Sequence, residues 1–451
     1  QGLVSLKSSI NYTCKFYKDL NCRQSKSILP KEQTNSAFFK KCVYDCIYDK
    51  EKEKFLYADE GITNFPYFLT SNVYNKNFPQ KSLLVIDEAH HIEEELSRFV
   101  EVIVSEKFSQ DQLKIKWPDQ YNTDKRIIDW IQEIFMPALN EKIVYYENWF
   151  DALKNLGDNK MFHRLEGHIQ NYDRATKYKN KIENFLKMYK KDNWVISAIE
   201  AVGKSMRKFE LRPVDVDSFS HSYLFSCGAK TLMMSATILD YNMFIKSLGI
   251  PKEKCAFLSI KSPFDPANRP VFYVPTGYMS KNYIDETLPK MIEIIKSLME
   301  IHKNDKGIIH TNTYKIAYFI KNNIKDKRLL FHNSENRDVI LEKHKKTKKP
   351  TILVSPSMSE GVDLKNDLSR FQIICKVPFP FLGSKYNQVK KRRDKKWYPF
   401  QTAKTIVQSL GRSVRNEKDS AVSYILDENW ENFFERNKNF FPDFIKKSIQ
   451  K

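Results

Sequence analysis

The sequence predicts an α/β protein with two parallel-sheet domains, a mostly helical insertion and a small cysteine-rich insertion. Short apolar runs alternate with longer amphipathic stretches in two separate parts of the chain, which is typical of parallel strands joined by helices. The part between them has few strand-like runs. With 451 residues, 41% of them hydrophobic, the chain can bury the cores of about two to four domains.

The candidate strands of both sheets are short and strongly apolar. In the first unit they are GITNF (61–65), SLLVIDEA (82–89) and TLMMSATI (231–238). In the second unit they are GIIHTN (307–312), TILVSPS (351–357), FQIICKV (371–377) and SAVSYILD (420–427). We therefore assign a partial first sheet domain to residues 61–99 with 212–240, and a second sheet domain to residues 241–451.

Residues 100–211 are predicted to form the helical insertion. This part is rich in Lys, Tyr, Phe and Trp, and it contains long stretches with the period of an amphipathic helix. The longest of them runs from Arg174 to Val202.

The chain is strongly basic, and this favours a polyanionic partner. It has 75 Lys and Arg against 55 Asp and Glu, a net charge of +20, which points to nucleic acid ahead of an anionic membrane. Genomic base composition also enriches lysine, so charge alone leaves both explanations open. Two runs are especially dense in positive charge, 343–349 and 385–396.

Targeting and membrane signals are missing from the sequence. No run of about 18 apolar residues occurs, and the first residues lack the pattern of a signal peptide. We therefore expect a soluble, cytoplasmic protein without a membrane partner, from a prokaryote or from a virus inside its host.

The seven cysteines divide into two groups. Three of them are isolated in apolar or strand-like settings and are expected in the core: Cys227, Cys255 and Cys375. The other four lie within 33 positions near the start: Cys14, Cys22, Cys42 and Cys46. In an intracellular protein such a group indicates a metal site ahead of disulfide bonds.

A pair of carboxylates follows the most apolar strand of the first unit. Asp87 and Glu88 end the run LLVI, and the carboxyl ends of parallel strands are where ligands bind. An aspartate there can hold Mg²⁺ through water, and the next carboxylate can polarise an attacking water. A solvated acidic loop is the alternative, but the following Ala89 and His90 disfavour it. His91 and Glu93–Glu95 are expected to begin a helix.

The stretch MMSATI places small hydroxyl residues after another strand of the first unit. Ser235, Ala236 and Thr237 follow the apolar run, and hydroxyls at a strand end can relay hydrogen bonds from a nucleotide site to a neighbouring groove. By itself the tripeptide is also compatible with a simple turn.

The stretch SMSEGVDL surrounds a glycine with carboxylates after a strand of the second unit. Gly361 and Asp363 lie directly beyond TILVS, at the carboxyl end of that strand. A loop with solvated acids is the alternative explanation.

The stretch QSLGRSVR brings two arginines close in sequence. Gln408, Arg412 and Arg415 have the spacing of one helix face, and Gly411 would permit a close approach. Two guanidinium groups on one face suit a polyphosphate, because bidentate donors offset its charge. A salt-bridged helix is the alternative.

A phosphate-binding loop of the form G-x-x-x-x-G-K-[ST] is missing from the sequence. The only Gly-Lys-Ser is Gly203-Lys204-Ser205, where Ala198 replaces the first glycine, the surrounding pattern is helical, and the position follows Asp87 when it should precede it. Either the loop belongs to a segment before Gln1, which we favour, or the protein binds nucleic acid without nucleotide turnover.

The order of these motifs resembles superfamily 2 helicases, and their surroundings resemble the XPD/DinG branch. The matching stretches are ITNFPYFL before the DEAH box, FELRPVDVD before SAT, SPFDPANRP after it and VPFPFLG before the final arginine motif. The resemblance covers the chain from Asn11 to about Glu428. It implies two RecA-like domains that clamp ATP, move as a monomer along single-stranded DNA, typically 5′ to 3′, and unwind forked duplexes in repair, replication or recombination.

The resemblance also implies a role for each motif residue. Asp87 is expected to bind Mg²⁺, Glu88 to position water, and Arg412 and Arg415 to reach the γ-phosphate. The remaining nucleotide-binding residues are expected to be His90, Gln408, Gly411, Gly361 and Asp363. Coupling to DNA is expected from Ser235, Ala236 and Thr237.

Two insertions of the family find counterparts here by resemblance. Residues 1–60 are similar to its iron–sulfur domain, so that the ligands of a [4Fe–4S] cluster would be Cys14, Cys22, Cys42 and Cys46. Their spacing departs from any tight pair, which leaves zinc or no metal open. Residues 100–211 resemble the Arch domain. We expect an ATP-dependent DNA helicase that hydrolyses little ATP without its phosphate loop; the alternative is a non-catalytic nucleic-acid-binding protein.

Overall fold

The computed structural model describes residues 2–16, 18–27, 44–74, 78–156, 162–201, 203, 205–358 and 362–450. The chain divides into two compact units. Unit 1 comprises Gln1–Ser235 with Phe244–Lys252, and unit 2 comprises Ala236–Met243 with Glu253–Lys451. Both units contain parallel sheets and many helices, which confirms the predicted fold class.

Unit 1 contains three small sheets in its described residues. Its strands are β1 (Val4–Leu6), β2 (Gly61–Thr63), β3 (Lys81–Ile86), β4 (Val102–Ser105), β5 (Trp194–Ile199), β6 (Lys208–Pro213) and β7 (Gly228–Met233). β1 pairs with β2 and β3 with β7, both in parallel, while β4, β6 and β5 form an antiparallel sheet in that order. The strands predicted at SLLVIDEA and TLMMSATI are confirmed, whereas GITNF forms a short, mostly exposed strand that pairs with β1 in a separate sheet.

The helices of unit 1 surround these sheets. They are α1 (Cys22–Ser27), α2 (Ile47–Tyr57), α3 (Phe65–Val73), α4 (Ile92–Val100), α5 (Glu106–Asp111), α6 (Asp124–Trp130), α7 (Met136–Leu156), α8 (Phe162–Met188) and α9 (Asp217–Tyr223). One further helix, α10 (Tyr241–Ser247), spans the boundary with unit 2. The helices and sheets from α3 onward share one core, with fully buried Leu96, Phe135 and Phe209, while Cys22 and Cys46 belong to a separate small cluster. Burial of such large side chains is the main stabilising contribution, about 2 kcal/mol for each.

The predicted helical insertion is wrong in part, because it contains the antiparallel sheet. The expected helix from Arg174 to Val202 ends at Met188, and strand β5 begins at Trp194. Asn193 fixes this change: its carbonyl oxygen accepts from Val214 N (2.8 Å), and its side chain accepts from the backbone N–H of Asp215 (2.8 Å). Those bonds hold the start of β5 beside the end of β6.

The same sheet corrects the expectation of a helical pattern around the Gly-Lys-Ser stretch. Gly203 lies in the connection between β5 and β6 and has a φ of +60°, which glycine adopts without steric cost. Lys204 lies outside the described residues. A hairpin connection of this kind is not the strand-to-helix loop that wraps phosphates.

Only one face of the β3–β7 sheet is covered in the described part of unit 1. Ile86 and Met233 lie in or against the core on the packed face. On the opposite face Leu83, Val85 and Leu232 are about half exposed, at 52%, 50% and 47%. Parallel sheets normally bury both faces, so this face has the character of an interface.

Unit 2 is built on one parallel sheet of seven strands. They are β8 (Val271–Gly277), β9 (Gly307–His310), β10 (Leu329–Phe331), β11 (Ile352–Ser355), β12 (Phe371–Ile374), β13 (Val422–Asp427) and β14 (Ile449–Gln450). Their order is β10-β11-β9-β12-β13-β8-β14, with every neighbouring pair parallel. All four strands predicted for this unit are confirmed.

Helices cover both faces of the unit 2 sheet. They are α11 (Ile284–Ile301), α12 (Tyr314–Asn323), α13 (Arg337–Lys346), α14 (Lys385–Arg393), α15 (Trp397–Leu410), α16 (Asn429–Arg436) and α17 (Asp443–Ser448). Alternate strand residues enter different cores: Ile309 packs with α11 and α12, whereas Ile308 packs with Leu341 of α13. Among the described helices of the chain, none is long and apolar enough to cross a membrane.

Candidate active site

The DEAH turn of unit 1 lies at the carboxyl end of β3, as the sequence predicts. Backbone bonds fasten it to the end of β7: Met234 N donates to Ile86 O and Ala89 N to Met234 O, each at 2.9 Å. Glu88 has a left-handed φ of +48°, and its N–H donates to Asp87 Oδ1 (2.8 Å). Both carboxylates are exposed. The turn thus presents them to solvent on a fixed backbone.

His90 joins the DEAH turn to the SAT stretch. Its Nδ1 lies 2.6 Å from Ser235 Oγ and 3.3 Å from Glu88 Oε2, and its side chain is almost fully buried. A short bond to a buried ring fixes the hydroxyl relative to the turn. The structure therefore brings together two motifs that are about 145 residues apart in sequence. Ala236 and the buried Thr237 belong to unit 2.

The arginine motif of unit 2 departs from the predicted helix face. Helix α15 carries buried Gln408 but ends at Leu410, and Gly411 is its C-cap. Arg412 and Arg415 lie in the turn beyond the helix, so the expectation of one shared helix face is wrong. The cause is a contact distant in sequence: Ser413 is fully buried, and its Oγ bonds Ser369 Oγ at 2.7 Å.

The two arginines meet the loop that follows β11. Arg412 Nη1 and Arg415 Nη2 both donate to Val362 O, at 3.3 and 3.5 Å. Arg415 Nε also lies 3.3 Å from Asp363 Oδ1. Gly361 lies outside the described residues. Because Asp363 and the Arg415 side chain are both exposed to solvent, this weak ion pair can open for an anionic ligand.

A buried histidine beside these arginines was not predicted. His310 ends strand β9, and burial lowers its pKa to about 4; the neighbouring Gln372 opposes this shift, while the positive charge of Arg412 adds to it. Among the described residues, His310 Nε2, Thr311 Oγ1 and Gln372 Oε1 have no hydrogen-bond partner. Buried polar atoms of this kind mark a functional site or a water site. The histidine in GIIHTN, at a strand end, is the sequence signal that could have revealed it.

Three of the four clustered cysteines line one small cavity of unit 1. They are Cys14, Cys22 and Cys46, all buried, with the Sγ atoms of Cys22 and Cys46 3.5 Å apart. Cys42 lies outside the described residues. Within the described ranges, no group of three His, Cys, Asp or Glu side chains is arranged to hold a metal ion, so the iron–sulfur site stays a prediction.

Two of the three cysteines expected in the core are buried. They are Cys227 and Cys375, and burial raises the pKa of both thiols. Cys255 is only partly buried.

A basic surface of unit 2 contains the second of the two positively charged runs. Helix α14 and the residues after it expose Lys385, Lys391, Arg392, Arg393, Lys395 and Lys396. The loop before the helix exposes Phe381, at 76%. Asn387 Nδ2 of α14 donates to Phe381 O (2.9 Å), which fastens the backbone of Phe381 to the start of the helix. We call this combination the α14 surface.

Comparison with known proteins supports the class that the fold and site define. Residues 295–448 match the helicase C-terminal domain family. The ATP-dependent DNA helicase DinG of Photobacterium profundum is 27% identical over 242 residues, which cover 48% of this chain and 34% of that protein. The helicase YoaA of Haemophilus influenzae is 21% identical over 427 residues, covering 85% and 66%.

Solved structures share the fold. An XPD helicase superposes with a TM-score of 0.63 over 97% of this chain and 85% of its own, at 14% identity. Xpd4 of S. tokodaii superposes with a TM-score of 0.51 over 87% and 82%, at 15% identity. These neighbours show that the chain shares the fold of XPD helicases.

By sequence and by fold, the chain is similar to the XPD/DinG-like helicases. It spans about a third of the DinG relative and about two thirds of the YoaA relative.

Proposed function

We propose that this chain is part of an ATP-dependent DNA helicase that moves along single-stranded DNA and separates duplex strands. One observation supports this above others. Motifs that are far apart in sequence meet in pairs at strand ends, His90 with Ser235 in unit 1 and Arg415 with Asp363 in unit 2. A scaffold that had lost turnover would have no reason to keep both pairs. The DinG and YoaA relatives bear the name ATP-dependent DNA helicase.

Each unit supplies a different part of the chemistry. The exposed Asp87 carboxylate is suited to hold the Mg²⁺ of the nucleotide, and Glu88 to orient and deprotonate the attacking water. Arg412 and Arg415 offset the charge that develops on the γ-phosphate during transfer. With the left-handed φ at Glu88, its backbone N–H donates to Asp87 Oδ1 (2.8 Å) while its carboxylate lies 3.3 Å from His90 Nδ1.

The phosphate cradle is contributed by a segment outside residues 1–451. The exposed apolar face of β3–β7 supports this, because a further α/β segment of the same sheet would cover Leu83, Val85 and Leu232. These 451 residues alone are then expected to bind DNA but to hydrolyse little ATP.

The α14 surface is the proposed DNA contact of unit 2. Its exposed cations match the phosphate backbone, and Phe381 can stack on a base. The cations lie on one short helix and its continuation, so they can follow consecutive phosphates of a single strand. Forked duplex and 5′ to 3′ movement remain part of the proposal by family resemblance.

The residue types in the cysteine pocket suit an iron–sulfur cluster, although the described thiols are not arranged to hold a metal ion. Three buried thiols facing one cavity are suitable donors, and a fourth from Cys42 would complete the set. Zinc would accept the same ligands. Cys14, Cys22 and Cys46 would hold the group, which would tie the chain before α1 to the start of α2.

The alternative is a nucleic-acid-binding protein without turnover, which the missing phosphate-loop motif favours. The two functions separate in one experiment: ATP hydrolysis and strand separation by the full-length gene product, with and without single-stranded DNA. A helicase hydrolyses ATP faster when DNA is present and unwinds a forked substrate. If the full-length protein binds DNA but shows neither activity, the non-catalytic alternative is correct.

A further inference from the structure

Asp419 is a buried carboxylate at the junction of three segments of unit 2. Its side chain is 0% exposed. Oδ2 accepts from the backbone N–H groups of Asn366 (2.9 Å) and Arg415 (3.2 Å). Oδ1 accepts from Arg370 Nη1 (2.9 Å) and from Ser420 N (3.0 Å). Four donors, one of them charged, satisfy a carboxylate that would otherwise be costly to bury.

These bonds join the two loops that carry the candidate nucleotide contacts. The loop after β11 contains Val362 and Asp363 and continues to Asn366, while the loop after α15 contains Arg412 and Arg415. Asp419 bonds a backbone amide in each loop and the side chain of Arg370 at the start of β12. A side-chain bond from Asn416 Nδ2 to Asn366 Oδ1 (3.1 Å) runs parallel to it.

The guanidinium contacts depend on how these loops are held. Arg415 Nη2 donates to Val362 O at 3.5 Å, which is a long bond, and the ion pair between Arg415 and Asp363 is exposed. Contacts of this kind contribute little to ordering the Arg415 side chain. The buried carboxylate is the strongest polar connection between the loops among the described residues.

We infer that Asp419 is a positioning residue, which holds the loop of Arg412 and Arg415 against the loop of Val362 and Asp363 and thereby sets how strongly the site distinguishes ATP from ADP. The inference rests on the proposed function of the two arginines as γ-phosphate contacts. Asp419 touches no nucleotide itself. It acts through the backbone of the arginine loop, so its loss loosens both guanidinium groups together.

Asp367 offers a matched control on the same arginine. Its Oδ1 accepts from Arg370 Nε (3.1 Å) and Nη2 (2.7 Å), but its side chain is 94% exposed. Asp367→Asn therefore removes the same charge opposite the same guanidinium and leaves both loop amides bonded. Asp419→Asn removes the charge and one of the two acceptor oxygens.

The first measurement is amide hydrogen exchange of this chain, followed over peptides that cover 362–370 and 411–420. Asp419→Asn is expected to speed exchange there by about tenfold or more, while Asp367→Asn leaves it unchanged. Equal exchange rates in the wild type and in folded Asp419→Asn would show that Asp419 does not hold the two loops together. If that variant does not fold, Arg370→Gln replaces it, and it must speed exchange over the same peptides.

The second measurement distinguishes a positioning role of Asp419 from a merely structural one. The affinities of ATPγS and ADP are compared in the full-length protein, well below its unfolding temperature. Asp419→Asn is expected to lower the preference for ATPγS over ADP by about tenfold, with the affinity for ADP unchanged. Asp367→Asn is expected to keep the wild-type preference. An unchanged preference would refute the positioning role. If the wild type shows no preference for ATPγS over ADP, the proposed function is contradicted. The exchange data would still show whether Asp419 holds the two loops together.

Discussion

At the scale of single residues, His90 is the link between the two motifs of unit 1. Its ring connects Ser235 with the carboxylate of Glu88, so one side chain contacts both the turn that would direct water and the stretch that would lead towards DNA. The sequence alone could order these motifs but could not show contact, because 145 residues separate His90 and Ser235. The backbone bonds between β7 and the turn bring them together.

Replacing Ser235 by alanine tests this connection. We expect the stimulation of ATP hydrolysis by single-stranded DNA to fall about fivefold in the full-length protein, since a neutral hydrogen bond contributes about 1 kcal/mol. The basal rate should change little, because the carboxylates remain. Steady-state ATPase assays with and without DNA measure both rates.

Ser226→Ala is the control for that substitution. Ser226 donates to Ser222 O on an exposed part of unit 1, away from the DEAH turn. If both variants keep full stimulation, His90 and Ser235 do not couple hydrolysis to DNA.

Two buried histidines predict how stability depends on pH. Burial lowers the pKa of His310 and of His344 to about 4, whereas an unfolded histidine titrates near 6.5. Between these values the unfolded chain binds more protons, so the free energy of unfolding falls as pH decreases. From pH 7 to pH 5 each histidine should remove about 2 kcal/mol of stability.

Urea unfolding at both pH values measures this difference. His310→Gln should reduce the loss between pH 7 and pH 5 by about half, since His344 still titrates. His221, which is exposed, serves as the control position. An equal loss in the wild type and the His310 variant would show that His310 is not held neutral by burial.

At the scale of secondary-structure elements, strands were predictable and helix ends were not. Each strand of the unit 2 sheet that the sequence revealed is a run of apolar residues before a polar turn, as in Ile352–Ser355. Helix α15 ends at Leu410 because Ser413 is held by Ser369, a contact that no local pattern contains. The same holds for Asp419, whose four donors come from three segments.

The insertion shows the second limit at this scale. No glycine or proline separates the long amphipathic helix from Trp194–Ile199. The helical period of the sequence therefore continues through these residues. Only their pairing with β6, in which Ile196 lies opposite Leu211, identifies them as a strand.

The α14 surface should account for much of the affinity of unit 2 for single-stranded DNA. Replacing Lys391, Arg392 and Arg393 by glutamine should weaken binding and reduce the slope of log affinity against log salt by about 2, since each phosphate contact contributes about 0.7. Fluorescence anisotropy with a labelled oligonucleotide over a range of salt concentrations measures the slope.

The other basic run provides a matched control. Lys343, Lys346 and Lys348 are exposed on or just after α13, and replacing them removes the same charge. Equal effects of the two triple variants would mean that net charge, and not the α14 surface, governs binding.

At the scale of the whole molecule, the two parallel sheets differ in completeness. Unit 2 has seven parallel strands covered by helices on both faces, whereas β3 and β7 of unit 1 leave an apolar face exposed in the described residues. The presence of two units could be predicted from the sequence, whereas the exposure of one face of the β3–β7 sheet could not.

The cysteine pocket gives a prediction for the intact protein. Purified without oxygen, it should carry about four iron per chain and a broad absorption near 400 nm, and Cys22→Ser should lose both. Cys255→Ser is the control, because Cys255 lies in unit 2. Zinc in place of iron, or no metal at all, would contradict the cluster.

The central claim is that Glu88 directs the water that cleaves ATP, and one substitution tests it most directly. In the full-length protein with single-stranded DNA, Glu88→Gln should lower the rate of ATP hydrolysis about 100-fold or more while ATP and DNA still bind. Glu95→Gln, on helix α4 of the same unit, should hydrolyse ATP at the wild-type rate. Undiminished hydrolysis by Glu88→Gln would contradict the account.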